Sequence, residues 1–200
     1  MDDRALHRVG TAQGFGLARP QLEPLALERL KRFVENMLDL SRLQAGAAVP
    51  AQTLWTVDTL TEQALDELPD GRRVRVEVPA ELPPVRTDAA QMQRALVNVL
   101  ENALKFSPPD TSVVLRAEQL GNEIVLHVDD QGPGIAADEA MTVFEPFQHA
   151  RGSGGSGLGL AIARGFVDAN GGRIWVEARG SGGTSVAIAL PAADVSPVAT

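Results

Sequence analysis

The chain has no cysteine, and that absence removes disulfides, thiolate metal sites and a cysteine nucleophile together. It is almost as poor in lysine: Lys31 and Lys105 are the only two, and arginine carries nearly all the positive charge. Nor is there a basic excess. The formal net charge is −8, which argues against a protein that grips nucleic acid through its phosphates. No apolar run approaches the ~18 residues that span a bilayer, and the first ten residues lack the apolar core of a signal peptide. These exclusions leave an expected cytoplasmic chain, long enough at 200 residues for one domain plus an appendage.

What is present is organised around Asp88 to Ser107, a run free of Gly and Pro that opens on a good N-cap. Met92, Leu96, Val99, Ala103 and Phe106 recur at three- and four-residue steps and form a core-facing stripe. Asn98, Asn102 and Lys105 form a second stripe beside it. Such a stripe is either a solvated helix face or a ligand face. Amide oxygens suit a hard cation such as magnesium, and a lysine meets phosphate as a point charge. The scarcity of lysine elsewhere favours the ligand face.

Residues 1–21 show no period and read as a tail. Leu22 to Ala45 reads as a helix with Leu27, Leu30, Val34, Met37 and Ser41 on one stripe, widened by Phe33, Leu38, Leu40 and Leu43. That much apolar surface calls for a partner, either another helix or the chain's own domain. The expected organisation is a tail at 1–21, this helix at 22–46, a linker at 47–53, a domain at 54–191 and a tail at 192–200. Within the domain the pattern gives an apolar run at Leu54–Val57, a helix from Asp58 to about Leu68 and a strand at Val74–Val78. The long helix follows, then strands at Thr111–Glu118 and Glu123–Val128, a helix from about Leu158 to Ala169, and strands at Arg173–Ala178 and Thr184–Leu190. The order predicts an α+β fold, a two-layer sandwich with a mixed sheet covered by helices on one face.

Two glycine segments carry the remaining chemistry. Asp129-Asp130-Gln131-Gly132-Pro133-Gly134-Ile135 follows a strand; it is either a plain turn or a carboxylate placed to accept a hydrogen bond from an exocyclic amine. Gly152 to Leu160 runs directly into a helix, which makes an anion site of its exposed amides. It is no P-loop, because no Lys-Ser/Thr follows. A literal G-x-G-x-x-G match at Gly152, Gly154 and Gly157 lacks the buried strand that a dinucleotide fold requires before it.

In order and spacing these segments resemble the ATP-binding domain of sensor histidine kinases, within the GHKL superfamily that includes DNA gyrase and MutL. Asn98 to Phe106 resembles the N box, Asp130 to Ile135 the first glycine box, Phe144-Glu145-Pro146-Phe147 the F box, Gly155 to Ile162 the second glycine box, and Gly182-Gly183-Thr184 a last glycine motif. Glu35 to Gly46 is similar to the end of the second dimerisation helix, in particular that of potassium-responsive Kdp-type sensors. The resemblance implies ATP and Mg2+ as ligands. It implies that Asn102 holds the metal, Asn98 supports the phosphate end, Lys105 touches a phosphate and Asp130 accepts the adenine amine. Gly134 would give the base room, Gly157 and Gly159 would meet the phosphates at the helix start, and Gly132, Gly155, Leu158 and Thr184 complete the site. A short lid would span Gln148 to Gly155, with Arg151 its only fixed positive charge.

One departure stands out. The phosphoacceptor motif, His followed by an acid and then Leu-Arg-Thr-Pro, is absent, so no catalytic residue is assigned and the acceptor helix is expected on another chain or segment. The resemblance implies a homodimer or heteromer through the 22–46 helix and a response-regulator receiver domain as partner, with no nucleic acid. It also allows a longer, membrane-attached relative. Two alternatives remain at this stage: a stand-alone serine/threonine switch kinase of the same superfamily, and a catalytically silent ATP-binding dimerisation module.

Overall fold

Alternation along three strands decides the architecture. In β4 (Val113–Leu120), β5 (Glu123–Asp129) and β7 (Thr184–Pro191), aliphatic residues fill every second position: Val113, Leu115 and Ala117; Ile124, Leu126 and Val128; Val186, Ile188 and Leu190. The registers Leu115↔Val128, Leu126↔Ile188 and Ile124↔Leu190 stack these side chains on one face, and all are buried in a single core. Strand β2 (Val74–Glu77) pairs parallel with β4, whereas β6 (Arg173–Ala178) pairs antiparallel with β7. The sheet is therefore mixed, in the order β2-β4-β5-β7-β6. This computed structural model describes residues 24–136, 139–148, 156–180 and 182–193. The tail at 1–21 and the residues from Asp194 on lie outside that set.

The helices cover the aliphatic face. Helix α3 (Ala89–Phe106) starts at its expected cap, with Asp88 accepting from the Gln91 amide. Met92, Leu96, Val99 and Ala103 are buried as the stripe predicts, but Phe106 is only half-buried, at the helix end. Helix α2 (Val57–Asp66) begins one residue earlier than its sequence pattern, because Thr56 rather than a later residue caps it. Helix α4 (Gly159–Ala169) packs along α3 and ends at Asn170. The Asn170 side chain donates to Gln91 Oε1 and Phe166 O, and its oxygen accepts from the Asp88 amide and the Thr87 hydroxyl. A carboxamide satisfied on all sides fixes the start of α3 against the end of α4.

The pattern did not foresee β3 (Val85–Thr87), which pairs antiparallel with β1 (Thr53–Trp55) as a small second sheet. The isolated bridge of Val85 to Ala192 and the bond from the Ala193 amide to Pro84 O add the chain after β7 to this edge.

Helix α1 (Pro24–Gln44) uses only part of its apolar surface against its own domain. One side lies on the domain: Leu40 and Leu43 pack against the core, and Arg94 of α3 bonds Asn36 Oδ1 at 3.1 Å and Asp39 Oδ2 at 3.1 Å. On the other, Leu27, Leu30, Val34 and Met37 stay 40% to 54% exposed, so this stripe has no cover within the described chain.

Candidate functional site

The second stripe of α3 faces a cleft of about 940 Å³. Asn98 is buried at its back, and its amide nitrogen has no hydrogen-bond partner among the described residues. An orphaned buried donor costs roughly 1–3 kcal/mol, and a ligand acceptor would relieve it. Asn102, one turn on, is half-buried at the same wall. Lys105 stands exposed at the rim with Nζ 5.0 Å from the centre of the Phe106 ring. Partial burial lowers its pKa from the ordinary lysine value. The half-buried Phe106 thus serves the rim of the cleft, which is why it leaves the core stripe.

Asp130 sits opposite, just past the end of β5, and is held on every side but one. Its amide donates to Thr184 O at 2.8 Å. Its Oδ1 accepts from the Gly132 amide at 2.8 Å and the Thr184 amide at 3.1 Å. Its main-chain carbonyl accepts from Arg179 at 2.6 Å. No described residue bonds Oδ2. A carboxylate with one oxygen fixed by two main-chain amides presents the other as a preorganised acceptor.

The third wall is the start of α4. No described side chain caps that helix, which leaves its first amides facing the cleft as candidates for an anion. Gly159 approaches Asn98 so closely that a Cβ there would lie 3.3 Å from Asn98 Oδ1. Gly157 adopts φ +65° and accepts from the Phe147 amide at 2.9 Å, which ties the F-box segment to the second glycine segment. Phe147 makes this contact at φ +66°, a value that costs a non-glycine residue about 1–3 kcal/mol.

Of the residues expected from sequence, Asn98, Asn102, Lys105, Asp130, Gly134, Gly157, Gly159 and Thr184 all line this one cleft. Gly132 and Leu158 stand behind it. A Cβ on Gly132 would lie 3.0 Å from both Asp130 Oδ1 and Phe106 O, so its place is to let the turn close on α3; Leu158 is fully buried in the core. Gly155, Arg151 and the segment from His149 to Gly155 lie outside the described residues. Sequence reasoning missed Arg179, and it missed Arg32, Phe33 and Asn36 of α1, which line the cleft together with Glu101. Arg32 and Glu101 form an ion pair. Nothing in their spacing marks these residues, since the contacts join segments far apart in the chain.

No group of three or more His, Asp or Glu side chains that could hold a metal exists among the described residues. The carboxamide oxygen of Asn102 suits magnesium only as one ligand among several, the others coming from water and phosphate, which is how that ion is commonly held. The donor set therefore fits a cation that arrives with a nucleotide.

Residues 87–194 match the family model described as histidine kinase-, DNA gyrase B-, and HSP90-like ATPase. The sensor protein KdpD of Rathayibacter rathayi is 38% identical over 196 residues; the match covers 96% of this chain and 22% of that protein, so the chain spans about a fifth of its curated relative. Among solved structures, the mycobacterial sensor histidine kinase MprB is 35% identical with a TM-score of 0.62, the overlap covering 71% of this chain and 98% of that one. Full-length ShkA, crystallised with AMPPNP, is 27% identical with a TM-score of 0.71 over 84% of this chain and 37% of its own. With its mixed sheet, its three-walled cleft and these likenesses, the chain belongs to the histidine kinase-, DNA gyrase B- and HSP90-like ATPase family, as a catalytic ATP-binding domain of the sensor histidine kinase type.

Proposed function

We propose that the chain is the ATP-binding catalytic part of a two-component sensor histidine kinase, which presents the γ-phosphoryl group of ATP to a histidine for relay to a response regulator. The observation that carries this reading is the Asp130 oxygen that no described residue bonds, facing a cleft whose other walls are an Asn/Asn/Lys stripe and a helix start that no described side chain caps. In it Asp130 Oδ2 accepts the adenine 6-amino group, and Gly134 lets the base lie against the turn. Asn98 donates its unpartnered N–H to a phosphate oxygen, Lys105 meets a second, and the first amides of α4 meet the rest. Asn102 would hold part of the coordination shell of a magnesium ion, which would supply charge neutralisation at the phosphates. The chain's own contribution is positioning: it fixes the base at one end so that the γ-phosphorus is offered at the other.

Transfer breaks the bond from the γ-phosphorus to the bridging oxygen of ADP and forms one to a ring nitrogen of the acceptor. The ring proton passes to an acid beside that histidine. Because no acceptor motif is present, the acceptor helix comes from another segment or chain, and the exposed stripe of α1 is the surface through which we expect a second copy or a related chain to associate. The receiver-domain partner follows from the likeness to sensor kinases.

Calorimetric titration tests the site. The wild-type chain should bind Mg-ATP, and Asp130→Ala should weaken it by about ten- to a hundredfold, the cost of an exocyclic amine left without its acceptor. Equal affinity for ATP in the two proteins would remove Asp130 from the site and the reading with it.

A further inference from the structure

We propose that Arg179 is a positioning residue for adenine recognition, acting through the main chain of Asp130. The proposal rests on the reading of Asp130 as the adenine acceptor. The β5–β7 ladder ends at the pair Asp129↔Ser185, one residue short of Asp130. The carbonyl of Asp130 is thus the first in the strand with no ladder partner, and Arg179 supplies one at 2.6 Å. A carbonyl that accepts a charge-assisted bond is held more firmly than one bonded to an amide.

The surroundings make this contact specific to the position of the carboxylate. Arg179 is the first residue after β6, and its own carbonyl accepts from the Gly182 amide at 3.1 Å, which closes the turn beneath it. The next turn residue, Gly183, has φ +86°, and a Cβ on it would lie 2.1 Å from Asp130 O. The two turns therefore meet backbone on backbone. With the amide of Asp130 on Thr184 and Oδ1 on two further amides, the peptide plane that follows the carboxylate is held at two ends, by the Gln131 amide on Ser107 Oγ at 3.1 Å and by the guanidinium on the Asp130 carbonyl. Without the guanidinium that peptide keeps only its amide-end bond to Ser107 and can pivot about it, which shifts the aim of the acceptor. The guanidinium nitrogen contacts the carbonyl rather than the carboxylate, so its effect is on aim and not on the supply of an acceptor.

The test compares Mg-ATP with Mg-purine riboside triphosphate, which lacks the 6-amino group, by calorimetric titration of the whole chain. Wild type should prefer ATP. Arg179→Met, which keeps the aliphatic stem and removes the donors, should weaken ATP by about five- to twentyfold and leave the purine analogue unchanged. Arg179→Lys, which restores a charged donor, should recover most of the preference. Arg179→Gln, a shorter neutral donor, is the milder second variant and should also lose it. A ratio equal to wild type in either folded variant overturns the inference. Loss of folding in both would make Arg179 a residue of the fold alone and overturn it equally. A wild-type chain that binds the two triphosphates alike sinks the adenine role of Asp130 itself, an outcome distinct from variants that discriminate as wild type does.

Discussion

Gly183 shows how little a single residue's type says until its neighbour is known. In sequence it is one glycine of a turn between two strands, equivalent to Gly180. In the structure Gly180 has open space where a side chain would go, whereas Gly183 has the carbonyl of Asp130 and a positive φ. Gly183→Ala should therefore destabilise the domain by about 2–4 kcal/mol, strain and overlap together, while Gly180→Ala stays within about 0.5 kcal/mol of wild type. Chemical denaturation measures both, and equal effects would contradict the packing described. Asp130 itself was legible as a cleft residue because it stands next to glycines after a strand. Arg179 was not, since an arginine beside a glycine turn carries no pattern.

A second residue gives a pH dependence. His127 lies on the sheet face turned away from the helices, buried, with Nε2 3.4 Å from Glu118 but making no hydrogen bond among the described residues. Arg116 and Glu118 reach it from β4, Glu177 from β6 and Asp129 from its own strand. Burial first, then the Arg116 charge, lowers its pKa below the ordinary 6.5, against the pull of the three carboxylates. The unfolded chain therefore takes up the proton before the folded one does, so the stabilising difference is complete above about pH 6.5 and is lost as pH falls towards the folded pKa. The melting temperature should fall between pH 7.5 and 5.5, and His127→Gln should flatten that part of the profile. An identical slope in the variant would show that the loss comes from other groups.

At the scale of elements, α3 was the most legible because its two stripes are both written in one uninterrupted helix. Its polar stripe separates functions by position: Lys105 stands at the rim and Asp130 across the cleft. Lys105→Ala should weaken ADP severalfold while leaving adenosine binding as in wild type, since adenosine has no phosphate for it to meet. Unchanged ADP affinity, with and without magnesium, would reduce Lys105 to a surface residue. By contrast β3 could not be read. Three residues between Pro84 and Asp88 are too few to show a period, and their strand exists only because β1 and Ala192 come alongside. Asn170 was equally silent: its bonds to Thr87, Asp88 and Gln91 run to a segment that the sequence keeps about 80 residues away.

At the scale of the molecule, the proposed function assigns nucleotide site and acceptor to separate parts. Of the three histidines, His7 and His149 lie outside the described residues and neither is followed by an acid. His127 faces the wrong side of the sheet. Incubated alone with γ-labelled ATP and magnesium, the chain should acquire no acid-labile label; label that disappears on changing any one histidine would refute this.

The way α1 rests on the domain has a mechanical side. Its contacts differ in kind along its length: Arg32 meets Glu101 and Arg94 holds Asn36 and Asp39 near the cleft, whereas Leu43 seats on Gly165, where a Cβ would lie only 2.6 Å from it. Water replaces the exposed Arg32 contact at small net cost but does not replace apolar packing or the part-buried Arg94 bonds. The helix is thus a lever with its fulcrum at Leu43 and its freest end, at Arg32, over the cleft. From Leu43 to Arg32 the arm is about 16 Å long, so a tilt of about 15° at the fulcrum moves its tip about 4 Å, enough to part Arg32 from Glu101 and widen the mouth of the cleft without disturbing a strand of the sheet.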